Sequence, residues 1–374
     1  MEKTGLREWC IFIDSSNEKE KKMRKHISSK AVLALILAFA CMASTGCSEK
    51  GQEADKGVSS RTSGAEPTLA APDENESKTP AEKIIPAAKV EYQLNFAKGK
   101  SRYMDMTATT NYAEIFRGRQ RNMKQSQTLG IIIDITEVNP DGSAWLNYSF
   151  DRVVVEVQDI TGRIKYDSSI DAEKPQDPQL QIFAALSGQG LAVKMTPRGL
   201  VVEIKGLDEF FHTIFAKIDL SPEDKQQIKE TFGGQIIKQM TEGALAILPD
   251  QPVTIGETWT QKAILTQSYP MAIENTYTLK DRKNGVAIIN IAADIKTEEK
   301  ATRQMLGAKV EYAFTGQKRG TIELDEKTGW IKSKTVTTNI SEQAIVPGVS
   351  DPNSAVAGRH HIELTESITV REKN

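Results

Sequence analysis

The feature that most constrains the fold is an alternation of apolar and polar side chains, which recurs along most of residues 88–374. In the last such stretch, residues 360–370, Ile362, Leu364 and Ile368 share one phase and polar side chains fill much of the other. Successive side chains of a strand point to opposite faces of a sheet. The pattern therefore predicts antiparallel strands with one buried face and one face in water.

Turn residues divide these stretches into hairpins. The predicted pairs are 129–138 with 144–157, 191–196 with 200–205, 273–279 with 286–295, and 321–324 with 330–340. A further half-buried strand is predicted over residues 90–96. Gly142, Gly199, Gly285 and Gly329 mark the four turns.

Helical spacing replaces the alternation in the middle of the domain. Apolar residues from Leu207 to Ile218 recur at intervals of three and four, which predicts an amphipathic helix. A second helix is predicted from Pro222 to Leu248, with a kink or break at Gly233-Gly234, because each glycine costs about 1 kcal/mol relative to Ala.

The predicted fold class is α+β and predominantly antiparallel β: one or more curved sheets, or a half-barrel. It is built from two β-rich halves, 88–206 and 252–371, with helices 207–248 between them. Repeated glycine spacing in the two halves fits an internal duplication, although any antiparallel protein reuses such turns.

Residues 23–47 have the pattern of an export signal. Basic residues precede the uncharged run 31–43, which as a helix spans about 20 Å, too short for a bilayer core of about 30 Å. Small residues then lead to Cys47, and this arrangement resembles a bacterial lipoprotein signal. The resemblance implies lipidation of Cys47 and, because Ser48 follows it, sorting to the outer membrane facing the periplasm.

Ser44 stands where that family usually has an aliphatic residue. Two alternatives therefore stay open: lipidation of Cys41, or cleavage after Ala40 to give a soluble periplasmic protein. Residues 1–22 fit neither pattern and are interpreted as an over-long gene start or a cytoplasmic extension. Residues 48–87 contain few large aliphatic side chains, which predicts a disordered tether.

Charge and cysteine content exclude several classes of protein. The 48 Lys and Arg against 50 Asp and Glu give a formal net charge of −2, without the basic excess typical of nucleic-acid binding. The three cysteines are Cys10, Cys41 and Cys47, so residues 88–374 have no disulfide, thiolate metal site or cysteine nucleophile.

The candidate metal ligands do not form a recognisable site. His360 is expected to point away from His361 and Glu363 in a strand, and His212 is explained by an i,i+4 pair with Asp208. We therefore expect no metal and no cofactor.

One basic cluster consists of Arg117, Arg119, Arg121 and Lys124. It suits contact with lipid headgroups, lipopolysaccharide phosphates or an acidic partner. The alternative is an ordinary solvated loop or strand.

The segment 248–259 reads L-P-x-x-P-V-x-x-G-x-x-W, with Asp167-Ser168 upstream and D-x-x-T-G at 325–329 downstream. Together these motifs resemble domain-of-unknown-function family 6263, which consists largely of secreted or lipid-anchored bacterial proteins. The resemblance implies no activity and transfers no functional residue.

These observations predict a lipid-anchored cell-envelope protein that is not an enzyme. The first hypothesis is a binding module for hydrophobic or lipid ligands, by analogy with lipoprotein carriers that curl a sheet around helices. The alternatives are a scaffold that binds another envelope protein or peptidoglycan, and an unrecognised periplasmic hydrolase. The expected partners are the membrane, through the N-terminal lipid, and a lipid or an envelope protein.

Overall fold

The computed structural model describes residues 88–116, 119–160, 162–171, 175, 178–218, 221–231, 233–265, 271–297, 302–305, 308–345 and 356–373. The predicted extension, export signal and tether, including Cys41 and Cys47, lie outside the described residues. Of the helices in the described part, none combines the length and apolarity needed to cross a bilayer.

The described residues form thirteen strands and four helices. The strands are β1 Ser101–Phe116, β2 Arg119–Val138, β3 Ala144–Asp159, β4 Gly162–Asp167, β5 Gly190–Met195, β6 Val201–Lys205, β7 Thr258–Leu265, β8 Met271–Lys283, β9 Val286–Thr297, β10 Thr302–Met305, β11 Ala308–Asp325, β12 Ile331–Ile345 and β13 Val356–Glu372. The helices are α1 Pro178–Leu186, α2 Leu207–Ala216, α3 Pro222–Thr231 and α4 Gly234–Leu245.

All these strands join one antiparallel sheet in the order β6-β5-β3-β2-β1-β13-β12-β11-β9-β8-β7, with β4 on β3 and β10 on β11. One arm contains β1 to β6 and the other contains β7 to β13, and the arms meet where β1 pairs with β13. The helices follow β6 or lie between β4 and β5. The predicted class, a predominantly antiparallel α+β fold of two β-rich halves with helices between them, is confirmed.

The apolar phases of both arms enter one hydrophobic core. We call the face of the sheet that carries them the inner face. On β11 the inner positions Gly316 and Gly320 lie so close to β12 that a Cβ would meet the carbonyls of Asn339 and Thr335. Glycine at these positions allows the strong local bending that a curved sheet requires.

The four predicted hairpins are present, and their turns lie at one end of the sheet, which we call the turn end. The two-residue turn between β8 and β9 has positive φ at both Asn284 and Gly285, the conformation that suits tight hairpins. Asn284 and Gly285 are therefore placed as the sequence predicts.

The predicted strand over residues 90–96 is wrong. Its backbone makes a single bridge, Val90 to Val253, and otherwise bonds to turns: the Leu94 N–H donates to the Pro197 carbonyl and the Asn95 N–H to that of Thr328. The alternation remains visible because Tyr92 and Leu94 are buried. This extended segment crosses the turn end instead of joining the ladder.

The predicted helices are confirmed, and the second divides in two at the predicted break. Phe210, Phe211 and Ile214 form the buried stripe of α2. Gly233 precedes α4 in an extended conformation and thus separates it from α3. Helix α1 and strands β1, β4 and β10 were not predicted, and β2 begins ten residues before the predicted strand.

Candidate functional site

Buried polar side chains interrupt the apolar core on the inner face, and Gln125, Asn275, Lys318 and Thr338 are among them. Lys318 lies on β11, two strands from β13. We call four further ones the inner polar cluster: Thr110, Gln127, Lys334 and Glu366. Their exposed fractions are 8%, 1%, 1% and 3%. Burying polar or charged groups in an apolar interior costs free energy unless they find partners. The cluster therefore requires a structural or functional reason.

Strand register brings the cluster together. Ala108 of β1 pairs with Gln127 of β2 on one side and with Glu366 of β13 on the other. Neighbouring strands are about 4.8 Å apart, so Gln127 and Glu366 are separated by about 10 Å across a small alanine. Thr110 follows Ala108 in the same phase of β1, and Lys334 lies diagonally from Glu366 on β12.

Several atoms of the cluster have no hydrogen-bond partner among the described residues. They are Oγ1 of Thr110, both amide atoms of Gln127, and Oε2 of Glu366. Buried side-chain polar atoms are usually satisfied by protein or ordered water. These atoms can therefore accept or donate hydrogen bonds to a molecule that enters the interior.

Lys334 connects the cluster to helix α4. Its Nζ donates a hydrogen bond of 3.2 Å to the Gly243 carbonyl in the last turn of that helix. Burial lowers the pKa of Lys334, and the charge of Glu366 acts in the opposite direction. Opposite charges at Lys334 and Glu366 leave the inner polar cluster without a net formal charge when both groups are ionised.

A second polar group lies on the inner face nearer the end opposite the turns, and we call it the rim: Glu114, Glu342 and His360. Register places His360 between the two glutamates. Its Nδ1 lies 2.9 Å from Oε2 of Glu342 and its Nε2 lies 3.4 Å from Oε1 of Glu114. Burial lowers the pKa of His360, but its contacts with Glu342 and then Glu114 outweigh burial and raise the pKa overall.

The predicted orientation of the histidines is confirmed, because His360 lies on the inner face and His361 and Glu363 lie in the other phase of β13. Within the described ranges no group of three or more His, Cys, Asp or Glu could hold a metal ion. His361 and Glu363, with Lys124, line an outer pocket of about 440 Å³.

The expected pairing of His212 with Asp208 is replaced by a different contact. Lys229 Nζ lies 2.9 Å from Oδ1 of Asp208 and donates to it, linking α3 to α2. His212 is exposed and lines a second pocket, of about 420 Å³, between these helices. His212 therefore carries no evident chemistry.

The predicted basic cluster is divided between the two faces of β2. Arg121 pairs with Glu114 in the inner phase, whereas Lys124 lies in the outer phase, and both are exposed. Arg117 and the side chain of Arg119 lie outside the described residues. An electrostatic contact made by all four residues remains a prediction.

The segment 248–259 connects the helices to the second arm. Val253 bridges to Val90, and Trp259 Nε1 donates a 2.9 Å hydrogen bond to the Ile247 carbonyl. The ring of Trp259 stacks on that of Tyr277, with 5.6 Å between ring centroids. These contacts give the segment the role of a structural joint.

The other two motifs also stabilise turns. Oδ1 of Asp325 accepts hydrogen bonds from the backbone N–H and the hydroxyl of Thr328, both at 2.8 Å. Asp167 accepts a 2.7 Å bond from Nη2 of Arg152, and this contact, the largest cause, lowers the pKa of Asp167. Neither motif contributes to the inner polar cluster.

Comparison with family models assigns the chain to a family. The model of a family of unknown function, DUF6263, matches residues 141–331, which are 191 of the 374 residues. The chain belongs to DUF6263. The motif resemblance found in the sequence is therefore confirmed. In this DUF6263 member the matched residues exclude all four residues of the inner polar cluster, and the family description assigns them no role.

A comparison with curated proteins finds no match. Solved structures are only distantly similar. A structure of lipovitellin described by its lipid–protein interactions has 11% identity, covers 75% of this chain and 26% of its own, and has a TM-score of 0.41. This chain thus spans about a quarter of the lipovitellin chain.

Two bacterial structures are also similar to this DUF6263 chain. An outer membrane channel from Pseudomonas putida F1 has 7% identity, covers 78% of this chain and all of its own, and has a TM-score of 0.21. A DUF1329 family protein from Desulfovibrio piger has 10% identity, covers 74% and 86%, and has a TM-score of 0.11. At these scores the likenesses assign no function.

Sequence reasoning missed the inner polar cluster although a signal was present. Glu366 shares the phase of Leu364 and Ile368, and Lys334 shares the phase of Val336. A charged residue in the buried phase of a strand is unusual. Such residues mark positions where the interior must satisfy a polar group.

Proposed function

We propose that this protein is a non-catalytic binding module for hydrophobic or lipid ligands in the cell envelope. The observation that carries the proposal is the inner polar cluster, which places hydrogen-bonding atoms without partners inside an apolar interior. An amphipathic molecule satisfies both parts of such an interior, since its chain contacts the apolar layers and its polar group meets the cluster.

The layers of the inner face support this arrangement. Along the inner phase of β1, Arg102 lies over the Trp330 ring at the turn end and Met104 and Met106 follow it. Thr110 then lies at the level of the inner polar cluster, and Tyr112 leads to the rim. Methionine side chains adapt to irregular apolar partners. The sequence of apolar, polar and charged levels suits a molecule aligned along the strands.

The proposed location follows from the predicted export signal. A lipid on Cys47 and the tether 48–87 would hold the domain near the membrane from which a hydrophobic ligand is taken. Attachment at Cys47 and outer-membrane sorting are parts of this proposal.

Ligand binding is tested with the purified full-length protein after removal of co-purified lipid. We expect native mass spectrometry to detect lipid bound one-to-one before its removal, and an environment-sensitive fluorescent fatty acyl probe to rebind saturably afterwards. Absence of both signals in a folded protein would contradict the proposal.

A matched pair of β1 variants locates the site. Ala108→Leu adds bulk between Gln127 and Glu366 and is expected to weaken probe binding about tenfold or more. Ala113→Leu makes the same change in the other phase of β1 and should leave binding unchanged. Circular dichroism and the melting temperature establish that both variants fold.

A further inference from the structure

We infer that the inner polar cluster selects an uncharged, hydroxyl-bearing polar group, so that the preferred ligand is a neutral lipid of the monoacylglycerol type. This inference rests on the proposed function and specifies the substrate class of the same site.

The charges of Lys334 and Glu366 limit which ligand groups the inner polar cluster can accept. A ligand carboxylate would make a like-charge contact wherever it met Glu366, and a ligand ammonium group would do so wherever it met Lys334. Either like-charge contact is costly in a buried site, where water screens charges weakly. Lys334 and Glu366 balance each other when both are ionised, so a charged ligand group would add an uncompensated buried charge. The pair therefore favours a ligand group that is neutral.

The hydrogen-bonding atoms of the inner polar cluster favour a ligand group that both donates and accepts. Oε2 of Glu366 is an acceptor without a partner in the described part of the chain, so its ligand must supply a donor. Gln127 offers both a donor and an acceptor, and Thr110 offers a hydroxyl that can act as either. A ligand hydroxyl both donates and accepts, whereas an ester only accepts.

The small side chain of Ala108 limits the size of the ligand group that the inner polar cluster can accept. Ala108 is the residue between Gln127 and Glu366, and its methyl group takes up less of the level above β1 than a larger side chain would, so a ligand group that reaches this level must be compact, such as a diol. Thr110 lies next along the same phase, so two adjacent hydroxyls of one ligand can meet different members of the cluster.

Three ligands with the same acyl chain separate the alternatives. Displacement of a fluorescent acyl probe from the full-length protein is measured with 1-monoolein, oleic acid and methyl oleate at pH 7. We expect monoolein to bind at least about tenfold more tightly than methyl oleate, the gain typical of one hydrogen bond to a charged group. Oleate is expected to bind more weakly than monoolein.

Variants assign the selectivity to the cluster. Gln127→Leu, which is close in size, should weaken monoolein binding about tenfold and leave methyl oleate binding unchanged. Glu366→Gln removes the negative charge and should improve oleate binding relative to monoolein. Gln158→Leu, at an exposed position of β3, is the control and should change neither.

The outcomes distinguish the two proposals. If all three ligands bind equally and Gln127→Leu changes nothing, ordered water satisfies the cluster and the headgroup inference is overturned while lipid binding stands. If oleate binds best, the neutral-lipid assignment is overturned. If none of the three binds to the folded protein, both proposals fail.

Discussion

His360 is the residue whose protonation has the clearest consequence for stability. Its contacts with Glu342 and Glu114 raise its pKa above the ordinary value near 6.5. A raised pKa in the folded state stabilises the fold fully below the unfolded-state pKa, and this stabilisation is lost as the pH rises through the folded-state value. We therefore expect the free energy of unfolding to fall as the pH increases above about 6.5.

Urea unfolding between pH 5.5 and 8.5 measures this effect. The difference in unfolding free energy between the wild type and His360→Gln should shrink as the pH rises. His361→Gln, at the neighbouring position in the opposite phase, is the control and should keep the wild-type pH profile. A difference that grows with pH would refute the assignment.

Among the elements, the segment 88–97 depends on one glycine. Gly329 has a φ of +70°, and a Cβ there would collide with the carbonyl of Gln93. Gly285 has a φ of +74° but open space around it. Alanine in this backbone conformation costs about 1–2 kcal/mol at either position, and the collision adds about 1–3 kcal/mol at Gly329.

Gly329→Ala is therefore expected to destabilise the protein by about 1–3 kcal/mol more than Gly285→Ala, as measured by urea unfolding. Limited proteolysis should also show faster cleavage within residues 88–97 of the Gly329 variant only. Equal losses of stability would show that this segment does not pack against the turn.

The same elements explain what the sequence could predict. The four hairpin turns carry glycines where the backbone needs positive φ, such as Gly142 and Gly285, so local chemistry marks the turn end. Segment 90–96 alternates like a strand, yet its partners are carbonyls of distant turns. Alternation reports burial of one face and does not reveal which backbone groups pair.

The candidate site, too, could be predicted from the sequence only in part. Alternation places Gln127 and Glu366 in the inner phases of their own strands, but their proximity requires the pairing of β1 with both β2 and β13. β1 and β13 come from opposite ends of the domain. The pairing of β1 with β13 joins residues far apart in the sequence, and alternation within either strand does not identify its partner strand.

At the scale of the whole molecule, the two arms form one core around the β1–β13 pairing. This pairing joins the start of the domain to its end, so the sheet is continuous only when the whole domain has folded. The inner polar cluster draws Thr110 and Glu366 from the two sides of that junction. Ligand binding and completion of the sheet should therefore be coupled.

The proposed attachment of the whole molecule to a membrane rests on lipidation of a cysteine in the predicted export signal. We expect Cys47→Ser to abolish incorporation of labelled palmitate in a bacterial host and to release the protein from the membrane fraction, because no other residue of the signal would then be lipidated. Cys41→Ser is the matched control and should retain both label and membrane association.

The three outcomes correspond to three processing routes. Loss of label only in Cys41→Ser would place the lipid on Cys41. An unlabelled, soluble wild-type protein whose mature N-terminus is Cys41 would indicate cleavage after Ala40. Because a single acyl chain gives only weak and reversible membrane binding, stable retention of the wild type would also require more than one chain at the lipidated cysteine.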